Sequence, residues 1–392
     1  YVSDNEDDFL AQDFDAVLIA TWFCSHAEHT IKALRAGKHV MCEVTSFFTP
    51  AEAVRVVEAV ESSGLVYNLL ENYPFQIGNM YIRSLWQQGF FGDFMYAEYD
   101  YVHECRSLSY TYIDGVPVKP GYHAHQWRSW LDFHYYNTHS LGPVMQITGL
   151  RPTRICALPS SVALPGYLGD GKMGGIAPSL ISMSNGGIMR HLMGGTSSDS
   201  HTRKLWGTKA AVDLTGDVRI RVGGSGRWLT VAPKWPEMAE LASQAGHGGG
   251  DFWELFYFAR QVLTGEPAPW DIYAACDVTM AGIMAVKSTQ ANGEPMDIPD
   301  FRDRSVREAF RNDHFAQEHF DPEAIFPAGH DSAITGNFTT VMSRFSSFRG
   351  YVGTILVRNV FDGMALYPDL ASDQDRFAVI ADVRQLIHEL PA

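Results

Sequence analysis

In Tyr136-Asn-Thr-His139 a phenol stands three residues before an imidazole, and on a helix that spacing places both side chains on one face. Imidazole titrates nearest neutrality and can both accept and return a proton, so His139 is the first candidate for acid–base work. Tyr136 is then placed to orient a substrate or to donate to a leaving oxygen. Tyr101, two residues before His103, is a second proton-transfer candidate. A phenol near pKa 10 is a poor base unless neighbours stabilise its anion, a task for His103 or for Arg128, which also suits a substrate hydroxyl or carbonyl. Glu71-Asn72 closes an apolar run, and parallel sheets bind ligands at the carboxyl ends of their strands. Taken singly, each has a structural alternative: His139 as a satisfied half-buried histidine, Tyr101 as a strand aromatic, Glu71 as an ion-pair partner or helix cap.

Other groups suggest less. His26-Ala-Glu-His29 and His123-Ala-His125 invite a metal reading, but no acidic or cysteine partner at a recognisable spacing supports either pair, and no metal is expected. The five cysteines (Cys24, Cys42, Cys105, Cys156 and Cys276) are odd in number and lack any Cys-x-x-Cys spacing, so reduced thiols are expected rather than a disulfide framework. His247-Gly-Gly-Gly-Asp251 reads as a flexible entry to a helix capped by Asp251, with His247 able to line a pocket. Gly169-Asp-Gly171-Lys-Met-Gly174 spells a dinucleotide fingerprint but lies between loop-like and strand-like segments, and the motif carries that meaning only between strand and helix. Asn337-Phe-Thr339 matches a glycosylation triplet by chance.

The elements that must position these residues start with Asp15-Ala-Val-Leu-Ile-Ala-Thr21, a continuous apolar run of the kind covered on both faces in a parallel sheet. A helix over 26–35 ends at Ala36-Gly37; strand 39–43, a helix opened by Thr49-Pro50 and strand 65–70 follow. Strand, helix, strand, helix, strand is half of a doubly wound sheet. Before Asp15 there is only an acidic stretch, so a chain without its first βαβ unit and its Gly-rich phosphate turn is expected. Helix 80–88 and the strand from Phe94 to Val102 open a second domain. Short runs at 179–183, 187–193, 211–214 and 217–222, separated by Asn185-Gly186, Gly216 and Gly223-Gly224, read as an antiparallel meander, and helices return at 251–263 and 272–290. The fold expected is α/β: a Rossmann-like doubly wound parallel sheet plus an α+β domain with a large, mostly antiparallel sheet. The division expected is 1–76, a partial dinucleotide-binding domain; 77–305, the substrate and oligomerisation domain, its helix around 272–290 packing back on the first; and 306–392, a C-terminal extension.

With 392 residues, 46% of them hydrophobic, the chain suits two domains. A net charge of −15 argues against nucleic acid and anionic membrane as partners, since both require clustered Lys and Arg. No window approaches the ~20 apolar residues of a membrane span. The start, Tyr1-Val-Ser-Asp-Asn-Glu, lacks the regions of a signal peptide, and a cytoplasmic location is expected, with a leader upstream of Tyr1 left open.

Asp15-Ala-Val-Leu-Ile-Ala-Thr, His26, Ala36-Gly37-Lys38-His39-Val40 and Glu43 together resemble the nucleotide domain of the glucose-fructose oxidoreductase, inositol dehydrogenase and MocA family. The usual continuation there is Glu-Lys-Pro, whose lysine sits near the reacting carbinol; this chain has Glu43-Val44-Thr45. A branch without that lysine is glycoside hydrolase family 109, the NAD-dependent N-acetylgalactosaminidases, with Glu-Val-Pro. Further matches to that branch are Leu70-Glu71-Asn72, Ala97-Glu98 with Tyr101-Val-His103, Trp127-Arg128, Tyr136-Asn-Thr-His139-Ser-Leu-Gly-Pro143, Gly207-Thr-Lys209, Gly246-His-Gly-Gly-Gly-Asp-Phe252 and Asp297-Ile-Pro-Asp-Phe301. Departures are Thr21-Trp22-Phe23-Cys24-Ser25 in place of a Thr-Pro-Trp-rich segment, and Thr45 in place of proline.

The resemblance implies NAD as cofactor, with NADP left open, and Thr21, Trp22, His26, Glu43, Val44, Asn72 and Trp127 as residues that hold it. A carbohydrate is the implied substrate, met by Arg128, Glu71, His103 and His247. The implied chemistry is oxidation of a hexoside at C3, deprotonation at C2, elimination at C1, addition of water and re-reduction, with His139 acting at the C3 hydroxyl, Tyr101 at C2 and Tyr136 beside them. Two alternatives stand: an NAD(P)-dependent dehydrogenase of a sugar, sugar derivative or cyclitol, with His139 replacing the lysine, and a non-catalytic binder of a sugar or a partner protein. The family further implies a homo-oligomer formed through the second-domain sheet.

Overall fold

The computed structural model describes residues 1–103, 132–160, 175–196, 201–235 and 238–317, with residues 162 and 199 and the backbone of four two-residue strands, 112–113, 116–117, 164–165 and 172–173. Trp127, Arg128, the His123–His125 pair, Cys105 and the Asn337 triplet lie outside the described residues, as do all of the Gly169–Gly174 motif but Lys172 and Met173 and all of the extension beyond 317.

Three strands, β1 (Ala16–Ile19), β2 (His39–Glu43) and β3 (Tyr67–Leu70), form a parallel sheet in the order β1-β2-β3. A short helix α1 (Glu6–Leu10) precedes them, and α2 (His26–Arg35) and α3 (Pro50–Ser63) make the crossovers. Local chemistry sets these limits. Thr49 accepts from the Glu52 amide while Glu52 accepts from the Thr49 amide, a reciprocal capping box, and Pro50 occupies the first helical position. At the other end Gly64 takes φ 65°, the left-handed turn that costs glycine least. Both faces of β2 and β3 are covered, as expected of the apolar runs. β1 departs from that expectation: it is the edge strand of the described sheet, and Leu18 is 51% exposed.

After α4 (Ile77–Gln87) comes the long strand β4 (Phe94–His103). Two ribbons, β5 (Tyr112–Ile113) with β6 (Val116–Pro117) and β8 (Leu164–Pro165) with β9 (Lys172–Met173), stand apart from the main sheet. That sheet has nine strands. It adds β7 (Pro152–Ala157), β10 (Ile176–Met183), β11 (Ile188–Gly195), β12 (Arg203–Gly207), β13 (Ala210–Asp213), β14 (Arg219–Val222), β15 (Leu229–Thr230) and β16 (Met296–Asp297) in the order β15-β14-β13-β12-β4-β11-β10-β7-β16. Every pairing is antiparallel except β4 with β11. The meander read from the turn residues is therefore interrupted, because β4 inserts between β11 and β12.

Helices α5 (Thr138–Thr148), α6 (Ala239–Gln244), α7 (Gly250–Thr264), α8 (Ile272–Gln290) and α9 (Arg304–Glu308) complete the described chain. α8 is buried over most of its length and touches β7, α3 and β3, so it packs against both sheets at once. Residues 310–317 fold back on the core: the Ala51 amide donates to Asp313, and Gln317 accepts from the Asp132 amide while donating its own to the Tyr135 hydroxyl.

Candidate active site

Three segments of distant sequence meet at the carboxyl end of β3. Glu71 leaves that strand fully buried, and both its carboxylate oxygens lie 3.0 Å from His139 Nδ1. His139 sits in the first turn of α5, whose approach depends on Gly142: a β-carbon there would press on the Trp270 ring and on Glu71 Cγ at 3.1–3.3 Å. The other ring nitrogen, Nε2, is 3.0 Å from the Tyr136 hydroxyl. Tyr136 stands one residue ahead of the Asn137 cap rather than inside the helix, so the pair meets by a turn folding back and not by helical periodicity. A carboxylate accepts only, so Nδ1 carries the proton and Nε2 presents its lone pair to the phenol. The result is a buried carboxylate–imidazole–phenol chain that can take a proton at the Tyr136 oxygen and give it back.

Aromatic rings frame this chain. Tyr73 stacks on His139 at 4.5 Å and gives its amide to Glu71 Oε1 at 3.1 Å. Tyr101, from β4, stands edge-on to His139 at 4.8 Å and shares a hydroxyl hydrogen bond with Tyr73. His103 and His201 are at 5.7 and 5.4 Å from Tyr101, ring to ring, and His103 Nδ1 pairs with Asp199 at 2.7 Å. Burial pushes the Tyr73 phenol up, and the Arg203 guanidinium over its ring pulls in the other direction. Burial, reinforced by Arg203, holds His201 below the usual histidine range. Tyr73 is itself fixed by Asn79, which donates to the Tyr73 carbonyl and accepts from the buried Tyr99 hydroxyl.

The Gly-rich turn before α7 closes the other flank. Asn72 donates to Asp251 at 2.9 Å, and Asp251 also holds His247 Nδ1 at 2.9 Å, so His247 lies at the rim through Asp251. Gly250 must be glycine because a side chain would collide with the Asn72 backbone carbonyl. One turn further on, burial and then the charges of Glu71, Asp251 and Glu43 push Glu254 up to about 9, and its Oε2 is buried without a hydrogen-bond partner. Near neutral pH Glu254 therefore keeps its proton. Nothing in the sequence marks it, nor Tyr73, Arg203 and His201, because their places come from tertiary packing.

Of the residues expected to hold a dinucleotide, Thr21, Trp22, Glu43 and Val44 lie at the ends of β1 and β2. Thr21, Phe23, Glu43, Val44, Thr45, Tyr135 and Tyr136 line one cleft, and Trp22, between Thr21 and Phe23 in sequence, is exposed. Asn72 Oδ1 is buried without a partner, an acceptor left open at the end of β3. A polar acceptor beside an apolar and aromatic lining is chemistry that fits part of a dinucleotide. His26 has a different place: its ring is buried with Nδ1 2.6 Å from the Thr45 carbonyl and Nε2 2.9 Å from the Thr21 carbonyl. Burial holds His26 below the usual histidine range, and its one N–H donates to one of these carbonyls, so that the ring sits between the loops that follow β1 and β2. Among the described residues no group of three His, Cys, Asp or Glu could hold a metal ion.

Residues 2–70 match the family described as oxidoreductase family, NAD-binding Rossmann fold, and residues 231–307 match that described as glycosyl hydrolase 109, C-terminal domain. A glycosyl hydrolase family 109 protein of Stenotrophomonas maltophilia is 26% identical over 332 residues, 73% of this chain and 72% of that protein. An alpha-N-acetylgalactosaminidase of Tannerella forsythia is 25% identical over 334 residues, 74% of this chain and 71% of that protein. Among solved structures, an NAD binding oxidoreductase from Klebsiella pneumoniae superposes with a TM-score of 0.63 at 11% identity, covering 76% of this chain and 83% of that one. Levoglucosan dehydrogenase in complex with NADH and L-sorbose gives 0.61 at 16%, covering 77% and 84%. Residues 2–70 thus match an NAD-binding fold, and the architecture is a Rossmann-type sheet joined to a second sheet domain.

Proposed function

We propose that this chain, a member of the glucose-fructose oxidoreductase, inositol dehydrogenase and MocA family and an NAD-dependent enzyme of glycosyl hydrolase family 109-like type, cleaves a hexoside by oxidation, elimination and re-reduction. Bound NAD supplies a hydride acceptor and returns the same hydride, so no net redox change results. The observation that carries the reading is the Glu71–His139–Tyr136 chain, which reaches the same cleft as Glu43 and Val44.

Glu71 holds His139 in the tautomer whose Nε2 faces Tyr136. As the C3 hydroxyl is oxidised, its proton passes to the Tyr136 oxygen while the Tyr136 proton moves to Nε2; both return on re-reduction. A C3 ketone acidifies the C2 hydrogen, and Tyr101, acting as its phenolate, takes that proton; its hydroxyl partner is Tyr73, over whose ring the Arg203 guanidinium lies. Electrons from the C2–H bond form the C1–C2 double bond as the C1 substituent leaves. Water then adds its hydroxyl at C1, its remaining proton replacing the one that the departing oxygen takes up, and Tyr101 gives the proton back at C2. In this scheme His247 and His103 meet substrate hydroxyls. Self-association through the open face of the nine-stranded sheet, where Met95 and Leu180 are exposed, completes the proposal.

A plain sugar oxidation needs only the first half of this scheme, and the same proton chain would serve it. Turnover in deuterium oxide with a substrate deuterated at C3 separates the two. The elimination route predicts a C3 isotope effect together with solvent deuterium at C2 of the product sugar. A C3 effect without C2 exchange, accompanied by accumulating NADH, would leave a dehydrogenase.

A further inference from the structure

We infer that a cleft at the C-terminal end of α5, the end away from His139, is a binding site for a small organic anion whose carboxylate or phosphate is held by Arg83. The cleft has a volume of about 320 Å³ and lies between α4, the last turn of α5 and α8. Three guanidinium groups line it, those of Arg83, Arg151 and Arg302, in a chain whose net charge is −15.

Two of the three are already balanced. Asp277 takes Arg151 Nε at 3.1 Å on one oxygen and Arg302 at 2.9 Å on the other, and Asp300 accepts from Arg302 at 3.1 Å. Arg83 is different. It is half-buried, makes no hydrogen bond or ion pair with any of the described residues, and the group that acts on it electrostatically is the Tyr257 phenol. Burial accordingly pulls its pKa down. The last turn of α5 lines this cleft, but a helix terminus offers only about half an elementary charge, less than one guanidinium requires. A partly desolvated guanidinium with no partner among the described residues is costly to keep, and its planar fork matches carboxylate and phosphate oxygens two at a time. The walls beside it, Trp86, Met145, Ile147 and Leu150, are apolar, which suits an anion carrying a hydrophobic body over bare phosphate.

The test is isothermal titration of the full chain with phenyl phosphate and with benzoate, in saturating NAD so that the cofactor cleft is filled, at ionic strength fixed with chloride. One-site saturable binding of at least one anion is expected, the tighter of the two identifying the group that is read. Arg83→Gln is expected to weaken binding at least tenfold, while Arg35→Gln, on the exposed side of α2, leaves it unchanged. Should Arg83→Gln not fold, phenylglyoxal labelling of the wild-type chain, read by mass at the peptide carrying Arg83, is the second measurement: the anion is expected to protect Arg83 and not Arg35. Absence of saturable binding, equal affinity in a folded Arg83→Gln, or labelling of Arg83 indifferent to the anion overturns the site.

Discussion

Glu71 decides what His139 can do. With a carboxylate at Nδ1 the imidazole presents Nε2 as an acceptor; an amide in its place can offer N–H and favour the other tautomer. Glu71→Gln is therefore expected to lower kcat about 10²-fold or more while the far-ultraviolet spectrum is kept, and Tyr136→Phe to act in the same range. Equal kcat in either variant would remove the proton chain from the mechanism. Glu254 gives a stability prediction with a definite sign. Its folded pKa is raised from 4.5 to about 9, so the folded state holds a proton that the unfolded state releases. Stability from this group is whole below about pH 4.5 and is lost as pH rises toward 9, an upper bound of about 3 kcal/mol at pH 7. Glu254→Gln should flatten the urea midpoint across that window, whereas an unchanged pH slope would deny that the carboxyl stays protonated. Residue types and order marked His139, Tyr136, Tyr101 and Glu71, but the hydrogen bonds among them depend on a turn before α5 and on Gly142, which sequence spacing does not convey. Tyr73 shows the limit well: its ring reaches His139 because a short turn after β3 is held by Asn79 from α4.

At the scale of elements, local signals were strong where caps and periodicity agree. α2, β2 and α8 occupy the spans read from composition, and Thr49-Pro50 starts α3 as its cap chemistry requires. Thr49→Ala should cost about 1 kcal/mol of stability by urea unfolding, with little change in activity, since the box serves α3 alone. Strand order was not legible, because placing β4 between β11 and β12 is a matter of long-range pairing that short turns cannot specify. The entry of α7 is an element-scale device with a functional reach: Gly250→Ala would push the helix start off the Asn72 carbonyl and disturb the Asn72–Asp251–His247 link. Expected is a loss of kcat/KM larger than the loss of stability; a variant with normal kcat/KM would mean that this flank does not shape the site.

For the whole molecule, α8 packs against both sheets, and Tyr136 belongs both to the proposed cofactor cleft and to the proposed proton chain. NAD that binds only the folded chain should raise its stability by about 2.7 kcal/mol at a hundredfold excess over Kd, seen as a concentration-dependent rise in Tm. No rise would contradict binding by the described residues. Light scattering with Leu180→Lys and Met95→Lys tests the open face of the large sheet: the wild type is expected to be oligomeric and the double variant to dissociate. The most direct test of the central claim follows aglycone release and absorbance at the NADH band together, while the full chain turns over aryl hexosides with NAD. Aglycone released over many turnovers with no accumulating NADH, abolished in His139→Ala, is the predicted result; NADH rising in step with substrate consumed, with no aglycone released, would contradict it.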